Sequence, residues 1–80
     1  MATYVMMIKE YEDDEKVVYF FGPDKQNLGR IQINKATGDH VQLDPVPNSK
    51  SLFYLTRAVV VLTRYLEKGI EFPDKTHYAS

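Results

Sequence analysis

The pattern of apolar and polar residues predicts four β-strands in the first part of the chain. They cover residues 3–9, 16–21, 28–34 and 40–44. The first two segments are rich in β-branched and aromatic residues and place apolar side chains on both faces. The last two alternate, with Ile31 and Ile33 on the apolar face of one strand and Val41 and Leu43 on that of the next. Gly38 in the short connection between them suits a hairpin turn, so we expect an antiparallel sheet.

One helix is predicted over residues 50–68. Apolar residues recur there at intervals of three and four, which is the period of an amphipathic helix. They are Leu52, Leu55, Val59, Leu62 and Leu66. Ser49 or Ser51 can cap the N-terminus, and Gly69 stands where a left-handed C-cap is expected.

These elements predict a single α+β domain over residues 1–80. Its fold class is a four-stranded antiparallel sheet (β-β-β-β-α) with one C-terminal helix packed on one face. We expect the apolar stripe of the helix to cover the apolar face of the third and fourth strands. The tail over residues 70–80 is expected to be irregular, with Phe72 docked on the domain. A chain of 80 residues is long enough for one core and too short for two.

More apolar surface is predicted than one helix can cover. Either Val18 and Phe20 or their neighbours in the second strand must point away from the helix. At 100° per residue, Tyr54, Val61 and Tyr65 fall on an outer flank of the helix. One explanation is that these side chains lie at the core boundary and that the tail covers the far face of the sheet. The other is that they form an interface, either to a second copy, giving a homodimer, or to a different protein.

The charge is nearly balanced, with ten basic and eleven acidic residues, so electrostatic recognition depends on local clusters. The acidic cluster consists of Glu10, Glu12, Asp13, Asp14 and Glu15. It either keeps an exposed hairpin end soluble or steers a basic partner toward the protein. The spacing and the glycine of an EF-hand calcium loop are absent from it.

Four basic residues fall within about 40° of one another on the predicted helix. They are Lys50, Arg57, Arg64 and Lys68, with Tyr54 and Tyr65 beside them. Such a stripe can follow a phosphate backbone while the rings stack on bases, so a nucleic-acid-binding protein is the alternative prediction. An ordinary solvated helix face explains the same residues, and the acidic cluster would repel a nucleic acid. We therefore rank nucleic acid below a protein partner.

The sequence gives little indication of a catalytic or metal-binding site. The chain has no cysteine, which excludes disulfides, thiolate zinc sites and cysteine nucleophiles. His40 and His77 are its only histidines and show no metal-ligand spacing, and no serine elbow or phosphate-binding glycine loop is present. We expect no catalytic residue, metal ligand or cofactor. A minor enzyme or a small-ligand binder is a further alternative.

The sequence as a whole predicts a non-enzymatic protein-binding domain. No run of about 18 apolar residues and no secretion signal is present, so we expect a soluble cytoplasmic protein without membrane contact. The narrower hypothesis is a small inhibitor, such as a bacterial antitoxin or immunity protein, that uses an apolar patch and the acidic cluster against a basic partner. That hypothesis is an analogy with small inhibitors as a class.

Overall fold

The computed structural model describes residues 4–47 and 52–79, which form an antiparallel sheet and a helix. The elements are β1 (Tyr4–Glu12), β2 (Lys16–Gly22), β3 (Gly29–Asn34), β4 (His40–Asp44), α1 (Phe53–Lys68) and β5 (Lys75–Ala79). The strands lie in the order β4-β3-β2-β1-β5, and every neighbouring pair is antiparallel. The predicted α+β class, an antiparallel sheet with one helix packed on it, is confirmed.

The prediction of four strands was wrong, because the sheet has five. Residues 75–79, expected in an irregular tail, pair with β1 from Tyr4 opposite Ala79 to Ile8 opposite Lys75. Only Thr76 and Tyr78 are β-formers in this short segment, and the open edge of β1 supplies the partner with which it pairs. As a result α1 connects one edge strand, β4, to the other, β5.

The first strand is also longer than predicted. It continues through Glu10 to Glu12, where the sequence had indicated a loop, with a bulge between Lys9 and Tyr11. Acidic residues are tolerated in this strand because cations on neighbouring segments neutralise them. The hairpin turn is thereby shortened to three residues, 13–15.

The helix ends as predicted, at a left-handed glycine. Gly69 has φ 67°, and its N–H and that of Ile70 donate to carbonyls of the last helical turn at 3.1 and 3.2 Å. This arrangement is a Schellman motif, which satisfies carbonyl groups at the helix end. The helix is described from Phe53 onward, and the predicted capping residues, Ser49 and Ser51, lie outside the described residues.

The core lies between α1 and one face of the sheet. The sheet contributes Val5, Met7, Val17, Tyr19, Phe21, Ile31 and Ile33, all fully buried. Ala58 and Leu62 are the fully buried residues of the helix, and Val46 before it and Phe72 after it complete the cluster. The predicted docking of Phe72 is confirmed. Each buried side chain of this size contributes about 1.5 to 3 kcal/mol, so the helix is integral to the fold.

The packing stripe of the helix differs from the predicted one. Leu52 is 67% exposed, whereas Ala58, which the prediction omitted, is fully buried. Three residues that the prediction placed on the outer flank are partly buried against the core: Tyr54, Val61 and Tyr65. The physical reason is the fifth strand, which widens the sheet on that side so that α1 packs through a broader stripe.

The prediction that α1 covers Val41 and Leu43 was wrong. Both are exposed, at 52% and 40%, because β4 lies at the sheet edge beyond the helix. The register pairs Val41 with Gln32 and His40 with Ile33, so Val41 lies on the face opposite α1 and His40 on the helix side. A shift of one residue reverses the face of every side chain in a strand, and turn geometry fixes that register.

Candidate functional site

The sheet face opposite α1 carries an apolar area that no element within residues 4–47 and 52–79 covers. We call it the helix-free face. Strand pairing brings its members together, with Ile8 opposite Phe20 and with Tyr11, Val18 and Val41 in one cross-strand row. Its apolar members are Tyr4, Met6, Ile8, Tyr11, Val18, Phe20 and Val41.

Most of these apolar side chains remain accessible to solvent. Tyr4 and Tyr11 are each 49% exposed, and Phe20 is half-buried. Val18 is 6% exposed because Tyr11 and Gln32 flank it on the neighbouring strands. An accessible area rich in aromatic and methionine side chains is typical of a protein interface. Of the residues predicted for the apolar patch, Val18 and Phe20 lie here.

The remaining predicted patch residues lie on the other side of the sheet. Tyr54 packs against the core, Val61 and Tyr65 lie near β5, and the hydroxyl of Tyr65 lies 2.7 Å from that of Thr76. The ring of Tyr65 also meets that of Phe72 edge-on, with centroids 6.3 Å apart. The contacts of Tyr65 hold α1 against β5, and partial burial against the core gives all three residues a role in the fold.

One end of the helix-free face carries three acidic residues beside one cation, Lys16, whose ammonium group lies 5.9 Å from the centroid of the Tyr11 ring. The turn between β1 and β2 is organised by Asp13, whose carboxylate accepts the N–H groups of Glu15 and Lys16 and the hydroxyl of Tyr11, each at 2.8 Å. These hydrogen bonds, that from Glu15 first, hold the pKa of Asp13 below its usual value. Asp14 and Glu15 are exposed. We call Asp13, Asp14 and Glu15 the acidic end.

The other two residues of the predicted acidic cluster form structural ion pairs. Glu12 accepts hydrogen bonds from Lys35 at 2.6 Å and from Lys9 at 2.7 Å on the helix side of the sheet. These bonds, that from Lys35 first, lower the pKa of Glu12. Glu10 lies 3.2 Å from Arg30. The structure therefore divides the predicted cluster into two residues that neutralise cations and three that extend from the hairpin.

Three basic side chains line the other half of the same face, with Lys75 opposite Ile8 at the middle of β1 and His77 opposite Met6. A shallow depression of about 160 Å³ is lined there by Lys25, Lys75 and His77 and floored by apolar side chains of β1. The ring of Tyr4 stacks on His77, with centroids 5.6 Å apart. No acidic residue lines the depression, and neither lysine forms an ion pair within the part of the chain that the structure describes. We call Lys25, Lys75 and His77 the basic end.

The helix-free face is therefore apolar in its middle, with three carboxylates and Lys16 near the β1–β2 turn and with Lys25 and His77 on the other half of the face. Lys75 pairs with Ile8 at the middle of β1, whereas Lys25 lies in the β2–β3 loop, separated from the β1–β2 turn by β2, which spans about 23 Å. Between them Arg30 is neutralised by Asp44 and Glu10, which also raise the pKa of its guanidinium, Asp44 most strongly. In the loop, Asp24 accepts hydrogen bonds from its neighbours Gln26 and Asn27.

The predicted basic stripe is only partly available on the helix surface. Arg57 lies between the rings of Phe53 and Tyr78, 5.1 and 5.2 Å from their centroids, and its Nε is buried without a hydrogen-bond partner. Two favourable cation–π contacts give Arg57 a role in packing α1 onto β5. Of the other stripe residues, Arg64 and Lys68 are exposed, and Lys50 lies outside the described residues.

Other chemistry is sparse in the residues that the structure describes. Within residues 4–47 and 52–79, no three His, Cys, Asp or Glu side chains are grouped so as to hold a metal ion. The buried hydroxyl of Tyr19 donates to the carbonyl of Pro73, and burial raises the pKa of that hydroxyl. It anchors the segment before β5. No helix in this part of the chain is long and apolar enough to span a membrane.

The sequence prediction missed much of this face. The bulge between Lys9 and Tyr11 shifts the register, so counting from the turn would have paired Ile8 with Phe21 rather than Phe20, and only the apolar residues along each strand were detectable. The basic end was not, because Lys75 and His77 are brought to the sheet by a strand with no clear sequence signal. Comparisons with protein families, curated proteins and solved structures find no match to this chain.

Proposed function

We propose that the protein acts by binding another protein chain through its helix-free face. The observation that carries this proposal is the uncovered apolar area, in which aromatic residues such as Tyr4 and Tyr11 keep half of their surface in solvent. Interfaces between proteins are enriched in such rings at their centre and bordered by charged groups. The helix-free face has both features.

Two other classes of ligand suit this face less well. Pockets for small molecules usually enclose about 300 to 1,000 Å³, and the depression at the basic end is smaller and open. A nucleic acid would meet Lys25 and Lys75 on one half of the face but the carboxylates of Asp13, Asp14 and Glu15 at the β1–β2 turn. An extended polyanion is therefore attracted by one half of the face and repelled by the other.

The narrower hypothesis of a small inhibitor depends on the acidic end. The exposed carboxylates of Asp14 and Glu15 favour a partner that presents basic groups beside an apolar area. The inhibitor hypothesis therefore requires a basic partner, whereas the general proposal requires only a protein partner. Replacement of Asp14 and Glu15 by lysine would slow association with such a partner, and the difference in rate would decrease at high salt.

Site-specific photo-crosslinking tests the proposal. A benzophenone amino acid replaces Tyr4 or Tyr11 in the source cells, and a matched control carries it at Glu67, which is exposed on α1. We expect both sheet positions to form protein adducts identified by mass spectrometry, and the adducts to be lost when Phe20→Ser is added. Equal labelling from Glu67, or no adduct from either tyrosine position, would contradict the proposal.

A further inference from the structure

An open groove lies between α1 and β5, at the edge of the sheet that is farthest from β4. The groove has a volume of about 360 Å³, and its lining residues are Val61, Arg64 and Tyr65 of the helix and His77, Tyr78 and Ala79 of the strand. The ring of Tyr78 is on the helix side, where it contacts Arg57, whereas His77 and Ala79 alternate with it and lie on the other face. Because residues of both faces line one groove, the groove reaches the outer edge of β5.

The outer edge of β5 carries backbone groups that the sheet does not use. Among the residues that the structure describes, β5 pairs with β1 alone. The N–H of Lys9 donates to the carbonyl of Asp74 at 2.8 Å, and bonded and non-bonded positions alternate along an antiparallel pair. Tyr78 therefore directs its N–H and carbonyl toward β1, whereas His77 and Ala79 direct theirs outward. An open edge of this kind can pair with a further strand.

The helix wall of the groove is positively charged. Arg64 is exposed and forms no ion pair with the part of the chain that the structure describes. Lys68 is also exposed and lies one turn further along α1, about 40° from Arg64 around the helix axis. No carboxylate lines the groove, and His77 adds a third basic side chain when it is protonated. A ligand with a carboxylate is therefore favoured.

The acidic residues of this region lie outside the groove. Glu67 falls about 60° from Arg64 around the helix axis, on the side away from β5. Glu71 and Asp74 lie in the connection between α1 and β5, before the strand begins. Asp74 also lies 3.5 Å from the ammonium group of Lys9. These carboxylates leave Arg64 without a partner.

We infer that the groove binds an extended acidic segment of another protein, which adds a strand to the sheet beside β5. The inference goes beyond the proposed function, which concerns the helix-free face. The outward backbone groups of His77 and Ala79 hydrogen-bond the segment, and one of its carboxylates pairs with Arg64. A neighbouring apolar side chain packs on Val61 and Tyr65. In strand addition, backbone bonds supply affinity and alternate side chains supply specificity.

A second copy of this chain does not supply the required segment. Its two open sheet edges are β4 and β5. β5 contains no acidic residue, and Asp44, the one carboxylate of β4, pairs with Arg30. Neither edge therefore offers an unpaired carboxylate to Arg64. The occupant is a different chain with an acidic residue in an extended segment.

Peptide selection provides the probe for this inference. Random peptides of about ten residues, the upper length of common strands, are displayed on phage and selected on the purified protein. We expect the enriched peptides to combine an acidic residue with apolar ones. In fluorescence anisotropy with the labelled synthetic peptides, Arg64→Glu should raise the dissociation constant at least about tenfold. Lys25→Glu makes the same change in net charge outside the groove and is the matched control, which should leave the dissociation constant unchanged.

Amide hydrogen exchange measured by NMR tests the strand pairing in the wild type. In the free protein the N–H of Tyr78 should be protected by β1, and those of His77 and Ala79 should exchange quickly. Saturating peptide should protect all three. His77→Pro removes an outward N–H and should abolish peptide binding, whereas His77→Ala keeps that N–H and should preserve it.

Three results would overturn the inference. They are a selection without enriched peptides, peptide binding that is insensitive to Arg64→Glu, and unchanged exchange at His77 and Ala79 in saturating peptide. Each of them would leave the proposed function standing, because that proposal is tested by crosslinking from Tyr4 and Tyr11 on another surface. The exchange measurement needs no substitution, so it decides the question even if a variant does not fold.

Discussion

Replacement of Phe72 by alanine tests whether the segment after the helix is an integral part of the fold. Phe72 is 5% exposed and lies between the rings of Tyr19 and Tyr65, each with its centroid 6.3 Å away. The ammonium group of Lys35 lies 5.7 Å above the ring. The side chain therefore joins the sheet, the helix and the tail at one point.

The expected cost of Phe72→Ala is about 3 to 5 kcal/mol, the usual range for removing a buried phenylalanine side chain. A chain of 80 residues has a total stability of about 4 to 12 kcal/mol at the usual value per residue. The substitution should therefore remove a large fraction of the stability. Ile70→Ala, two residues earlier, is the matched control, because Ile70 is 48% exposed and should cost less than about 1 kcal/mol.

Urea denaturation followed by circular dichroism measures both costs. We expect the midpoint of Phe72→Ala to fall far below that of Ile70→Ala, with similar slopes if both variants unfold in two states. Equal midpoints for the two variants would refute the reasoning. They would show that Phe72 contributes little to the core and that β5 is not held by it.

Three further predictions concern stability. Gly29→Ala places a Cβ 2.5 Å from the carbonyl oxygen of Asp44 and should lower the free energy of unfolding by about 2 to 3 kcal/mol or more. Gly69→Ala meets open space and should lower it by about 1 kcal/mol, because alanine disfavours the positive φ. Thermal unfolding midpoints of the two variants measure this difference. Because the pKa of Glu12 is lowered in the fold, its ionised form stabilises the protein above the usual value of 4.5, and this contribution is lost as the pH falls through the folded-state pKa. Urea midpoints of the wild type and Glu12→Gln should therefore differ at pH 7 and converge below about pH 4.5; a constant difference would contradict this. Arg57→Ala should lower the free energy of unfolding by about 1 kcal/mol, because two cation–π contacts are lost. Arg64→Ala is the control and should lower it by less than about 0.5 kcal/mol. Equal losses would show that Arg57 is not part of the packing.

The parts of the fold that could be predicted from the sequence are those with a strong local pattern. Ile31 and Ile33 alternate with polar residues, and both are buried on the helix side of β3. Gly69 follows a long amphipathic repeat, and it ends the helix in the left-handed conformation. In both cases the period of the apolar residues and the conformational preference of the residue type point to the same structure.

The errors occurred where a partner element decides the structure. Residues 75–79 carry only a weak strand signal, from Thr76 and Tyr78, and they form a strand because β1 offers unpaired backbone groups at its edge. Val41 fits an alternating pattern, but the register of the β3–β4 hairpin turns it away from the helix. Glu12 was predicted to lie in a loop, and it lies in a strand, where Lys9 and Lys35 form ion pairs with it. Long-range pairing of this kind leaves no mark in a local window of sequence.

The segment after the helix, with Phe72 and β5, connects the stability of the core to the basic residues of the helix-free face. β5 supplies Lys75 and His77 to the basic end, and its position depends on the helix side through the Tyr65–Thr76 contact and the packing of Phe72. A change on the helix side that loosens β5 should therefore weaken binding at the helix-free face without touching it. The acidic end should be much less sensitive, because the β1–β2 hairpin holds it through its own backbone bonds to Asp13.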